Sequence, residues 1–82
     1  MKQFNLEHQY QLYLQRMALK ESNMHPEQKR QLRQTFFGAC GQLIILFRDA
    51  LSELPEDQGI VVLQSMLDQV GSFFKNESAK QN

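Results

Sequence analysis

The stretch Pro26–Leu54, PEQKRQLRQTFFGACGQLIILFRDALSEL, decides the fold. Proline suits the first helical position, because its missing N–H would have no intrahelical partner there and its φ is already near the helical value. Glu27 adds a negative charge at the positive end of the helix dipole. Pro55 disfavours helical geometry in Leu54, so one helix is predicted over 26–54, about 42 Å long if unbroken. Spaced by the helical turn, Phe36, Phe37, Ala39, Cys40, Leu43, Ile44, Leu46, Phe47, Ala50, Leu51 and Leu54 fall within one arc of roughly half the circumference. An arc that wide suits a helix covered by two neighbours. Gln42, Arg48, Asp49, Ser52 and Glu53 form the opposite, polar face, and Gly38, Gly41 and Ile45 interrupt it. Each glycine lowers helix stability by about 1 kcal/mol relative to alanine, so a close contact is predicted to offset that cost.

Shorter amphipathic helices are predicted on both sides. The first covers 5–20: Asn5 is suited to cap it, Glu7 suits its dipole, and Leu6, Tyr10, Tyr13, Leu14 and Met17 define an inner face. Leu12 and Leu19 lie on its outer side beside His8 as a thinner second stripe. Glu21–His25 is a polar link of the length that joins antiparallel helices, and its side chains favour caps and turns. The third helix covers 55–75, starting at Pro55 or, if Pro55-Glu56 belongs to the turn, after Asp57 as cap. Its apolar arc holds Ile60, Val62, Leu63, Met66, Leu67, Val70, Phe73 and Phe74. A strand at 59–63 is excluded, because the three- and four-residue spacing runs on to Phe74 and a lone strand has nothing to pair with. The polar residues 76–82 are predicted to fray. The fold class is therefore all-α: a three-helix antiparallel bundle, a single domain over 1–82, with a long central helix. Its predicted core is Tyr10, Tyr13, Met17, Phe36, Cys40, Leu43, Phe47, Leu63, Leu67, Val70 and Phe74.

Size and charge narrow the function. A chain of 82 residues hides only about 60–65% of its unfolded surface, which favours oligomerisation. Zero formal charge and a pI near 6.7 exclude a surface that attracts nucleic acid as a whole. The single cysteine, Cys40, sits on the apolar arc and reads as a small core residue in a reducing compartment. Lys2 leads into Gln3, Phe4, Asn5 and Glu7, not a secretory apolar run, and Leu43–Phe47 is far too short to span a membrane. A cytoplasmic protein without membrane association is expected.

No catalytic residue, metal ligand or cofactor is predicted. His8 and His25 lie in different elements, and with Cys40 they are too few and too scattered for zinc. Cys40 between Phe36 and Leu43 lacks the exposure a nucleophile needs. Glu53, Glu56 and Asp57 are solvated helix-end acids, and the glycines stand in helical runs instead of a phosphate loop. Two surfaces remain. Gly38, Gly41 and Ile45, flanked by Arg48 and Asp49, form a candidate close-contact face, serving either a tight crossing within the chain or self-association. Leu12 and Leu19 tilt the choice toward a homodimer or another protein partner. The alternative is nucleic-acid contact through Lys29, Arg30 and Arg33 at the start of the central helix, although three charges give only a shallow salt dependence.

The runs Arg16-Met17-Ala18-Leu19-x-Glu21, Met24-His25-Pro26-x-Gln28, Phe36-x-Gly38-x-x-Gly41-Gln42 and Arg48-Asp49 resemble short, uncharacterised all-helical accessory proteins of bacteriophages and mobile elements. The resemblance covers roughly residues 10–54 and implies an intracellular bacterial setting and an accessory role. It assigns no functional residue. The function predicted is a non-catalytic protein–protein interaction or self-assembling protein, with a small nucleic-acid-binding regulator as the alternative.

Overall fold

A computed structural model describes residues 1–80. Among them there is no strand: three α-helices, α1 (Leu6–Arg16), α2 (Pro26–Asp49) and α3 (Glu56–Lys80), alternate with short 3₁₀ turns at Lys2–Phe4, Glu21–Asn23 and Leu51–Glu53. The all-α class read from helical periodicity holds. The chain divides into two compact units, Met1–Ile44 and the part from Ile45 onward, with the division inside α2.

In the first unit, α1 starts where its cap predicts: the Asn5 side chain accepts a hydrogen bond from the His8 N–H at 3.0 Å. Gln9 Nε2 donates to the Gln3 carbonyl at 2.7 Å and ties the preceding 3₁₀ turn to the helix. The helix ends at Arg16, four residues short of the predicted Lys20. There the Leu19 N–H donates to the Leu14 carbonyl (2.9 Å) and the Ala18 N–H to the Gln15 carbonyl (3.1 Å), a Schellman closure with Ala18 in the left-handed region at φ 55°. Met17 is consequently the C-cap and exposed, not an inner-face residue. Leu19 lies beyond the turn, so Leu12 and Leu19 do not form one helical stripe.

Tyr10 and Leu14, one turn apart on α1, are the buried pair. The Tyr10 ring meets Phe36 of α2 edge-on at 5.2 Å and Phe37 at 6.1 Å, and Tyr13 lies 5.4 Å from Phe36. Centroid separations of this size give aromatic pairs about 1 kcal/mol beyond area burial.

α2 passes through Gly38 and Gly41 without a break. It stops at Asp49 instead of Leu54. Ser52 Oγ donates to the Arg48 carbonyl at 2.6 Å, and the Glu53 and Leu54 N–H groups bond back to Ala50 and Leu51, tightening the last turn into 3₁₀. Leu54 is extended (φ −85°, ψ 148°), as the following proline requires. α3 starts at Glu56, and the Pro55 carbonyl accepts from the Gly59 N–H at 2.9 Å. It continues to Lys80 through residues predicted to fray, and the remaining tail, 81–82, lies outside the described residues.

The predicted core needs correction. Of its members only Tyr10 is buried; Tyr13, Phe36, Cys40 and Phe47 are half-buried, and Leu43, Leu63, Leu67, Val70 and Phe74 are exposed along with Met17. In the second unit the reason is length. Among the described residues, a helix of 25 residues is accompanied there only by the end of α2 and one 3₁₀ turn, and these cover no more than its opening turns.

Candidate interaction surface

The first unit carries a polar clasp that joins three segments remote in sequence. From α2, Arg33 Nε donates to Glu21 Oε2 (2.9 Å) and Nη1 to Glu7 Oε1 (2.7 Å), while Nη2 reaches the second oxygen of each carboxylate at 3.3 and 3.2 Å. The guanidinium carbon stands 4.7 Å from the centre of the Tyr10 ring, within cation–π range. Tyr10 Oη donates to Glu21 Oε2 at 3.0 Å, so the buried phenol has its partner. Hydrogen bonds from Arg33 hold both glutamates below the usual carboxylate range. The two carboxylates push the Arg33 guanidinium further above its ordinary value, Glu7 having the larger effect. Burial first, then the Glu21 carboxylate, raises the Tyr10 phenol.

This clasp consumes part of the candidate nucleic-acid contact. Arg33 is engaged by Glu7 and Glu21, and Arg30 Nη2 pairs with Glu27 at 2.6 Å on the helix surface. Lys29 makes no ion pair among the described residues. A phosphate approaching this turn meets three cations interleaved with three carboxylates, so the local field is nearly neutral. Along the sequence, Glu21–His25 is a polar link whose side chains favour caps and turns. No spacing rule joins Glu7, Glu21 and Arg33, because their proximity comes from the tertiary fold.

The second unit presents a different chemistry. Leu46, Phe47 and Ala50 at the end of α2, Leu51 and Leu54 around the 3₁₀ turn, and Val62 and Met66 of α3 line a cleft of about 170 Å³. Every lining residue is apolar, so the cleft has shape but no group to activate or orient a reacting molecule. Beyond it, Ile60, Leu63, Leu67, Val70 and Phe74 run along α3 at 44–63% exposure. The helical spacing read from the sequence places these residues on one arc, which no described segment of the second unit covers.

At the predicted close-contact face, a Cβ added to Gly38 or Gly41 would meet nothing within 4 Å. Among the described residues of the first unit, no close approach occupies the space at either glycine. Ile45 is 49% exposed. Arg48 and Asp49 pair with each other, Nε to Oδ1 at 2.6 Å and Nη2 to Oδ2 at 3.0 Å, which raises the guanidinium and lowers the carboxyl. Leu12 is half-buried, and Leu19 lies just beyond the turn that closes α1.

Among the described residues no three His, Cys, Asp or Glu side chains stand close enough to hold a metal ion, and no helix is long and apolar enough to cross a membrane. No protein-family model matches the chain, and no curated protein or solved structure matches it significantly.

Proposed function

We propose that this chain is a non-catalytic helical interaction protein that works by burying the apolar surface of its second unit against another polypeptide, in the first place its own copy. The observation that carries this reading is the continuous run of exposed bulky side chains on α3, next to a cleft without a polar lining residue. Contiguous apolar surface of this kind marks contact sites, whereas isolated exposed leucines do not. In this reading the helical bundle predicted from the periodicity is completed between chains, and the open faces at Gly38, Gly41 and Ile45 remain available for a further contact. The lone Cys40 fits a reducing, cytoplasmic setting.

Sedimentation equilibrium of the full chain from about 1 µM to several hundred µM tests self-association. Reversible dimers or larger species are expected, because burial of about half the surface of several bulky side chains is worth several kcal/mol. A monomer at every concentration sinks the self-association reading.

A further inference from the structure

Resting on that self-association reading, we propose that the occupant of the exposed α3 surface is α3 of a second copy, lying antiparallel to the first. Ile60, Leu63, Leu67, Val70 and Phe74 recur in alternating steps of three and four residues, the mean 3.5-residue period of a two-helix seam. Val62 and Phe73, also exposed, flank this line. Taking roughly 200 Å² for a bulky side chain, the exposed area of these seven residues is about 700 Å² per copy. That is close to the ~800 Å² each partner contributes to a standard specific interface.

Charge sets the direction. Glu56 and Asp57 occupy the first turn of α3, whereas Lys75 and Lys80 lie in its last two turns, where Glu77 stands 3.6 Å from Lys80. In an antiparallel pair the acidic start of one helix lies beside the predominantly basic end of the other, and the two macrodipoles oppose. A parallel pair sets acids against acids. The matching register places Ile60 opposite Glu77 of the second copy, Leu63 opposite Phe74, and Leu67 opposite Val70, about a two-fold axis between Asp68 and Gln69. Asp57 then lies level with Lys80 of the second copy.

Cysteine linkage in the full chain, with Cys40→Ser as background, tests this pairing. An Ile60→Cys chain is mixed with an isotopically heavy Glu77→Cys chain and oxidised with glutathione disulfide, and the products are read by mass spectrometry. The mixed, disulfide-linked dimer is expected. Equivalent cysteines on the two copies would be about 25 Å apart along the axis, far beyond disulfide reach. Same-site linked dimers, or an unlinked dimer, overturn the antiparallel pairing while leaving self-association intact; a monomer by sedimentation overturns both. As a second measurement, Leu67→Asp, at an already exposed position, is expected to weaken association at least tenfold without changing the near-ultraviolet signal of the aromatic cluster. Unchanged association excludes α3 as the seam. Finally, Asp57→Lys and Lys80→Asp are each expected to weaken the dimer by a factor of about 2–10 and together to restore it. Failure of the pair to restore it overturns the charge-directed orientation.

Discussion

Tyr10 shows how much of the first unit depends on a few atoms. Its ring is fully buried among Phe36 and Phe37, and its hydroxyl donates to a carboxylate that Arg33 also holds. Tyr10→Phe keeps the ring and removes a hydrogen bond to a charged acceptor, so a loss of about 1.5 kcal/mol in urea unfolding is expected. An unchanged midpoint would mean that the bond contributes nothing net. The clasp also predicts a pH response. Both glutamates have folded-state values below the ordinary 4.5, so their contribution is present above that pH and lost as pH falls through the lowered values. Arg33→Met is therefore expected to destabilise the protein at pH 7, with a difference from the parent that shrinks steadily below pH 4.5 in urea titrations. A difference independent of pH would assign the effect to packing of the arginine stem. On the alkaline side the sign reverses: the Tyr10 phenol titrates above its ordinary 10.0, so its contribution holds below pH 10 and is lost as pH rises through the raised value.

At the scale of the helices, local signals were readable where a side chain acts on its own neighbours. Asn5 caps α1, Pro26 opens α2, and Pro55 forces Leu54 into extended geometry, and all three effects reach only a few residues. The end of α1 was not readable, because Met17-Ala18-Leu19 contains neither glycine nor proline, yet Ala18 takes φ 55°. An L residue in this region costs roughly 1–2 kcal/mol. Ala18→Gly removes that cost at some expense in unfolded-chain entropy and is expected to raise stability by about 1 kcal/mol, measurable as a higher urea midpoint. Gly38 and Gly41 invite the opposite substitution. With nothing near their missing side chains, each change to alanine is expected to add about 1 kcal/mol through helix propensity. If α3 is the seam, association remains unchanged in both variants. Weaker association in either would return the contact to the glycine face.

Across the whole molecule the two units differ in how much of their apolar surface is covered within each unit, and this explains why the predicted core is only partly legible. Periodicity reports which side of a helix is apolar, and it correctly grouped Leu63, Leu67, Val70 and Phe74 on α3. It does not report what covers that side: Tyr10 has its cover within the first unit, whereas the α3 residues remain exposed. A 25-residue helix that contains Gly59, Gly71 and a β-branched run at Ile60-Val61-Val62 has modest intrinsic stability in water. If a second copy supplies its cover, mass action makes its stability depend on protein concentration, by about 1.4 kcal/mol per mole of dimer for each tenfold dilution above the dimer dissociation constant, the dependence vanishing once the chain is monomeric. The aromatic cluster and the Arg33 clasp do not share that dependence. Hydrogen exchange read by mass spectrometry on peptides from 56–80 is expected to lose protection on dilution, while peptides from 6–16 and 26–37 keep theirs. Concentration-independent protection throughout would mean that α3 holds its helix without a partner, and the exposed seam would then need a different explanation from self-pairing.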